Sequence, residues 1–179
     1  DLPAIEQAYE RLAQAMLDAE KRGEGFNFFH FMVDLSQGPC FYKRLKGCGV
    51  GTEYCAVTPE GDIYPCHQFV GIESFKMGNV HDDPIRLDSS VQAQFSHLLV
   101  PDKPNCVSCW ARYFCGGGCW SHAHNTHGAL DRPDEERSCR LIKRQIELAM
   151  AVNALLDVSD RAIVSGIFDE TTLSYLKTE

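Results

Sequence analysis

From Leu2 to Lys21 the apolar positions Leu2, Ile5, Ala8, Leu12, Ala15, Met16 and Ala19 recur every three or four residues, which gathers them on one face of an α-helix. Gly23 and Gly25 predict its end. Residues 26–35 are aromatic and β-branched, and predict a strand closed by Gly38-Pro39. Residues 54–58 and 62–64 read as two short strands joined through Pro59-Glu60-Gly61, a β-hairpin with Pro where φ must be near −65° and Gly where positive φ is tolerated. Residues 66–105 carry little periodicity and predict loop, with one short helix over 90–99 capped by Ser89 or Ser90. Pro133-Asp134-Glu135-Glu136 opens the longest helical pattern, which runs through Leu141, Ile146, Leu148, Ala149 and Val152 to Leu156 with acids in its first turn. Residues 168–176 predict a last helical turn or two capped by Asp169. The class is α+β: an N-terminal helix, a small hairpin among loops, and a long C-terminal helix.

With 179 residues, 44% hydrophobic and 23% charged, the chain is sized for one domain or slightly more, with a modest core. No apolar run reaches membrane-spanning length, and residues 1–20 are acidic and amphipathic, so neither a span nor a signal peptide is predicted. A net charge of −8 without a basic block argues against nucleic acid as a partner. The chain opens on Asp1 rather than Met, which leads us to expect that the natural chain starts earlier. Nine cysteines, an odd number, disfavour a closed disulfide framework, and without a secretory signal a reducing cytoplasm is expected. Clustered among Gly and Pro, these cysteines point to metal.

The compact run is Cys106-x2-Cys109-x5-Cys115-x3-Cys119, with Gly116, Gly117 and Gly118 filling its last gap. Thiols two residues apart can turn inward on one centre, and glycines let backbone N–H groups approach sulfur. Ahead lies Cys48-x12-Gly61-x4-Cys66, where the hairpin folds Cys66 back toward Cys48; behind lies Cys139, near the start of the long helix. Eight of the nine thiolates would suit either two tetrahedral zinc sites or two iron–sulfur clusters. The uneven spacing is unlike the paired knuckles of zinc ribbons and favours iron–sulfur.

The order Cys48, Gly61, Cys66, Cys106, Cys109, Cys115, Cys119, Cys139 resembles the seven-cysteine signature of the SPASM domain, the C-terminal extension of many radical S-adenosylmethionine enzymes, and matches it at all seven cysteines. GPC at 38–40, GCGVGTEYCAVTPEGDIYPCHQFVG at 47–71 and MGNV at 77–80 look like the maturases that build thioethers in the Cys-rich SCIFF peptide. The resemblance covers roughly residues 25–156. It implies two auxiliary [4Fe-4S] clusters: cluster I on Cys48, Cys66 and Cys119, and cluster II on Cys106, Cys109, Cys115 and Cys139. Related domains place an extra Cys shortly before the motif, which makes Cys40 the natural fourth ligand of cluster I.

The family makes its radical at a cluster held by C-x3-C-x2-C, and here Cys115-x3-Cys119 is followed at the required place by His122. This chain alone is therefore expected not to cleave S-adenosylmethionine, which with a third [4Fe-4S] cluster belongs to the full-length enzyme. By resemblance, residues 1–35 are the last helix and strand of a radical barrel, 36–156 the auxiliary-cluster domain and 157–179 a tail. The implied function is electron transfer and substrate positioning in the installation of thioethers in a ribosomally made Cys-rich peptide. Expected partners are that precursor peptide, the barrel, and a flavodoxin or ferredoxin reductant. The alternatives are a SPASM domain of another protein-modifying enzyme, such as a sulfatase-maturing or quinohaemoprotein type, and a two-zinc structural adaptor. Among neighbouring residues, Cys55 is expected as a small buried hydrophobe, and His122, His124 and His127 as solvated or satisfied by the core. His67 is a neighbour of cluster I or faces solvent, Lys43, Arg44 and Lys46 form a solvated basic turn or else balance cluster charge or bind an acidic peptide segment, and Trp110 and Phe114 shield cluster II or pack in the core.

Overall fold

The computed structural model describes residues 1–33 and 40–156. They fall into two units, one from the chain ends (Asp1–Pro39 with Glu136–Glu179) and one from Cys40–Glu135.

In the unit of chain ends, α1 spans Leu2–Lys21, as its periodicity predicts, and Gly23 beyond it has a φ of +71°. A π-helical turn over Glu135–Cys139 leads into α6, Arg140–Leu156. Ala13 and Leu17 of α1 pack on Leu148, Ala149 and Val152 of α6, the alanines allowing close approach of the two backbones. Glu6 with Arg140, and Glu10 with Arg144 at 2.6 Å, pair the same two helices along their polar margin.

The strand predicted over 26–35 is instead a 3-10 turn at Phe29–Phe31. Phe28 has extended backbone, yet the rings of Phe28 and Phe31 meet edge to face at 5.1 Å, and both pack on Tyr9 of α1. Aromatic side chains carry a β signal because they suit half-buried surfaces, and a helix flank supplies such a surface as well as a sheet does. The remainder of that prediction, with Gly38-Pro39, lies outside the described residues, as does the predicted turn at 168–176 with Asp169.

The Cys40–Glu135 unit holds the hairpin. Strands β1 (Ala56–Val57) and β2 (Asp62–Tyr64) pair antiparallel with Ala56 opposite Tyr64. The Gly61 N–H closes the turn on Thr58 O at 2.9 Å, with Pro59 at its first corner and Gly61 at φ +88°. A third strand, β3 (Gly78–Asn79), pairs with the other edge of β2. Two residues of Gly and Asn carry no strand signal, and long-range bonds hold them there: Met77 N donates to Ile63 O at 2.7 Å and Asn79 Nδ2 to Asp62 Oδ1 at 2.7 Å. The short helices are α2 (Phe41–Lys46), α3 (Ser89–Ser96), α4 (Arg112–Cys115) and α5 (Trp120–His127). The cap of α3 is Asp88, not Ser89 or Ser90: its carboxylate accepts from the N–H groups of Ser90 and Val91. The core is aromatic, with Phe69 4.5 Å from Phe75 and Phe95 bridging Phe69 to Trp120 at 5.5 and 5.7 Å. Helices with a small antiparallel sheet make the chain α+β. Among the described residues no helix is long and apolar enough to cross a membrane.

Candidate iron-sulfur site

The compact cysteine run folds as a staircase of tight turns. Cys106 N donates to Lys103 O at 2.9 Å and Cys109 N to Cys106 O at 3.1 Å, a three-residue pitch that stacks Cys106 and Cys109 on one side. Arg112 steadies the step by donating to Val107 O at 2.9 Å and Cys109 O at 3.3 Å. Helix α4 then delivers Cys115 and ends in Gly116, Gly117 and Gly118, with φ of +71°, +84° and +77°. Left-handed residues in series turn their N–H groups inward, and those of Gly117 and Gly118 act to lower the pKa of the Cys115 thiol. Cys106, Cys109 and Cys115 lie within electrostatic reach of one another.

The same glycines reverse the chain, so that Cys119, only four positions on, joins a different set. Its thiol contacts Gln68 Oε1 at 3.9 Å, and the charges acting on Cys66 are those of Cys119 and Cys48. Cys66 has extended backbone at the head of the 3-10 turn His67–Phe69, whose last N–H, that of Phe69, donates to the Cys66 carbonyl at 3.0 Å. Cys48 is brought in by Gly47, where a Cβ would collide with the Gly116 carbonyl. Burial, then the charge of Cys48, pushes the pKa of the Tyr54 hydroxyl well above the tyrosine norm.

Burial pushes the thiols of Cys66, Cys106 and Cys115 up, while backbone N–H groups pull Cys66 and Cys115 down and the Lys103 ammonium pulls Cys106 down. Thiols so placed are protonated until a metal takes them, and loading them releases protons.

By the charges that act on one another, the six thiols of Cys48, Cys66, Cys106, Cys109, Cys115 and Cys119 group as two sets of three. The expected fourth members are carried by other elements. Cys40 is exposed ahead of α2, its carbonyl accepting from Arg44 N, and Cys139 closes the π-helical turn in the unit of chain ends. Among the described residues no three His, Cys, Asp or Glu side chains converge closely enough to hold a single metal ion.

The donor chemistry fits iron–sulfur: thiolates alone, each set met by backbone N–H groups aimed at sulfur. A further polar atom fits it too. The indole N–H of Trp120, 1% exposed and next to Cys119, is buried with no hydrogen-bond partner, a donor that an inorganic sulfide or thiolate would satisfy.

Some neighbours depart from expectation, while the histidines are exposed or packed on the core as expected. Cys55 is exposed, not a core residue. Trp110 is 49% exposed and Phe114 half-buried, while the fully buried aromatic of the cysteine run is Trp120, which the sequence does not distinguish from Trp110 because each follows a cysteine directly. Lys46 is 4% exposed with Nζ donating to Thr52 Oγ1 at 2.6 Å, so the basic turn is not wholly solvated, and the Lys43 side chain lies outside the described residues. His124 packs edge to face on Phe75 at 4.9 Å, while His122 is exposed with Nε2 3.2 Å from Asp134, and His127 and His67 are exposed.

Residues 48–110 match the model of the SPASM family, described as an iron-sulfur cluster-binding domain. The chain thus carries a SPASM iron-sulfur cluster-binding domain. Over 139 residues, 75% of this chain, it is 31% identical to the mycofactocin maturase MftC of Mycobacterium tuberculosis, of which it covers 34%. It is 29% identical over 136 residues to the mycofactocin maturase of Mycolicibacterium smegmatis, again 34% of that protein. An uncharacterized protein of Archaeoglobus fulgidus is 28% identical over 124 residues, 27% of its length. The chain spans about a third of the length of the maturases it matches.

Proposed function

We propose that this chain is the auxiliary-cluster region of a radical S-adenosylmethionine peptide maturase, holding two [4Fe-4S] clusters. Cluster I takes Cys48, Cys66, Cys119 and Cys40; cluster II takes Cys106, Cys109, Cys115 and Cys139. The observation that carries this reading is the segregation of Cys115 and Cys119 into separate thiol sets across three left-handed glycines. The interleaving matches the ligand order implied by the SPASM resemblance, and bacterial ferredoxins likewise send the last Cys of a compact run to the other cluster.

When bound, such clusters supply a one-electron acceptor and, wherever an iron lacks a protein ligand, a site that lowers a thiol's pKa. The chain's own residues do the rest. N–H groups of Gly117, Gly118, Gln68 and Phe69 favour the charged form of Cys115 and Cys66, and the core of Phe69, Phe75, Phe95 and Trp120 keeps water from one side of Cys48 and Cys66.

In the full-length enzyme, residues 1–35 would close the radical barrel and 157–179 form a tail. S-adenosylmethionine and a third [4Fe-4S] cluster would sit in that barrel, and a flavodoxin or ferredoxin would supply electrons. The substrate is a ribosomally made precursor peptide. The motifs at 38–40, 47–71 and 77–80 favour a Cys-rich peptide and a thioether product; identity to mycofactocin maturases favours a second reading, a different bond in a peptide of that class. Protein prepared without oxygen should hold about eight iron and eight sulfide per chain, and two zinc without sulfide would end the iron–sulfur reading. Mass spectrometry of a precursor peptide co-produced with the full-length enzyme separates the products: a thioether removes two hydrogens and one free thiol, and loss of hydrogens with every thiol still alkylatable excludes it.

A further inference from the structure

Lys103 is 1% exposed, yet the only hydrogen bond described for its Nζ is to Gly117 O at 3.0 Å. The ammonium also stands over the Trp120 ring, 4.1 Å from its centroid. A carbonyl and a ring face are a poor substitute for the hydration that a buried cation gives up. Burial therefore pushes the lysine's pKa down, and sulfur opposes this as an anion once a metal holds the thiols as thiolates. Cys106 and Cys115 of one thiol set and Cys48 of the other act on Lys103, and Asp131 more weakly. The lysine therefore stands within electrostatic reach of both sets.

The sequence around it explains how it is held. Lys103 O caps the first step of the cysteine staircase by accepting from Cys106 N, so the backbone that carries the lysine also sets the run. Gly117 has no side chain to fill the slot: a Cβ there would lie 3.1 Å from Lys103 Nζ and 3.1 Å from Val100 Cγ2. Trp120 follows Cys119 directly, so the ring beneath the ammonium comes with a cysteine of the other set. The residues that hold Lys103 are thus adjacent in the chain to the ends of both sets.

We infer that Lys103 is a positioning residue of the two-cluster site: a buried, fixed positive charge shared by both clusters, which raises the potential of each and makes their electron affinities depend on one side chain. The inference rests on the two-cluster reading above. A reduced cluster carries one more negative charge than the oxidised one, so a nearby cation favours reduction, and in a water-poor core its effect is little screened. The effect should be larger at cluster II, which has two of the three cysteines named, and should reach cluster I through Cys48.

The test uses the chain loaded anaerobically with both clusters, as wild type and as Lys103→Met, Lys103→Gln and Lys103→Arg. Iron and sulfide are counted first, and each cluster is then titrated potentiometrically with EPR detection. At the wild-type midpoint of cluster II, the reduced-to-oxidised ratio should fall about tenfold or more in the two neutral variants, tenfold being 59 mV for one electron. Cluster I should shift the same way by less, and Lys103→Arg should stay near wild type. A merely structural lysine would alter melting temperature without moving potentials. Neutral variants that keep their iron and titrate with wild type overturn the inference and leave the cluster reading intact. Should the neutral variants fail to load, loading of Lys103→Arg supports the charge, and failure of Lys103→Arg alike makes Lys103 a packing residue and overturns it. A wild type without iron and sulfide overturns both readings together.

Discussion

Gly117→Ala and Gly118→Ala make a matched pair that separates backbone strain from crowding in the turn between the two thiol sets. The φ values are similar, +84° and +77°, so each alanine is forced into left-handed backbone at about 1–2 kcal/mol. Each also gains roughly 0.4–1 kcal/mol from the stiffer unfolded chain, and this cancels in the comparison. The surroundings differ. At Gly118 the new Cβ would meet nothing nearer than Pro133 Cβ at 3.6 Å, an ordinary contact, whereas at Gly117 it would press on Val100 and on the Lys103 ammonium, both at 3.1 Å. Val100 and Lys103 are buried and have little room to yield, and overpacking of this kind costs about 1–3 kcal/mol. Gly117→Ala should therefore be the less stable of the pair by about 1–3 kcal/mol, and in a chain of this size each kcal/mol lowers Tm by roughly 2–4 °C. The assay is thermal unfolding of the metal-free chain by circular dichroism, with iron loading measured in parallel. Equal melting temperatures, or a milder loss at Gly117, would refute the account of the Lys103 slot.

Cys109→Ala and Cys139→Ala should each retain about four iron and the EPR signal of cluster I only, although one residue lies in the compact run and the other outside it; equal loss from both clusters would sink the interleaved assignment. Cys40→Ala should open cluster I, so that an added thiol shifts its EPR signal in the variant but not in wild type; a wild-type signal already shifted by thiol would show Cys40 is not a ligand. Phe69→Ala should lower stability by about 3–5 kcal/mol, since the ring is fully buried between Phe75 and Phe95, and denaturant melts would measure it. Glu6 is held below its ordinary pKa of 4.5 by hydrogen bonds from Arg140, so the stability it adds is present above that value and is lost as pH falls through the lower folded value. Glu6→Gln should remove that part of the acid limb of the stability-versus-pH curve below about pH 4.5, and an unchanged acid limb would argue against the pairing.

Periodicity suffices for the long elements. The seven apolar positions of α1 and the run from Leu141 to Leu156 in α6 predict helices that the structure contains, but in α1 the stripe marks the helix rather than its buried face: Ile5, Ala8 and Ala15 are exposed, while Ala13 and Leu17, outside the stripe, are buried on α6. The hairpin was legible because Pro59 and Gly61 impose the turn locally, before any partner is present. Local chemistry misled where a tertiary partner decides. Phe28 and Phe31 have side chains that suit a strand but found the flank of α1, and Gly78-Asn79, with no strand character, was recruited to the free edge of β2. At the site, the sequence marks which side chains are thiols and where glycine permits reversal, and it supports the family resemblance. It does not locate a cation. Lys103 is one of 17 basic residues, and only the folding of the Gly117 carbonyl and the Trp120 ring around its head group makes it a buried charge near two sets of sulfur. Burial and electrostatic reach are relations between distant segments, so the tertiary structure decides them.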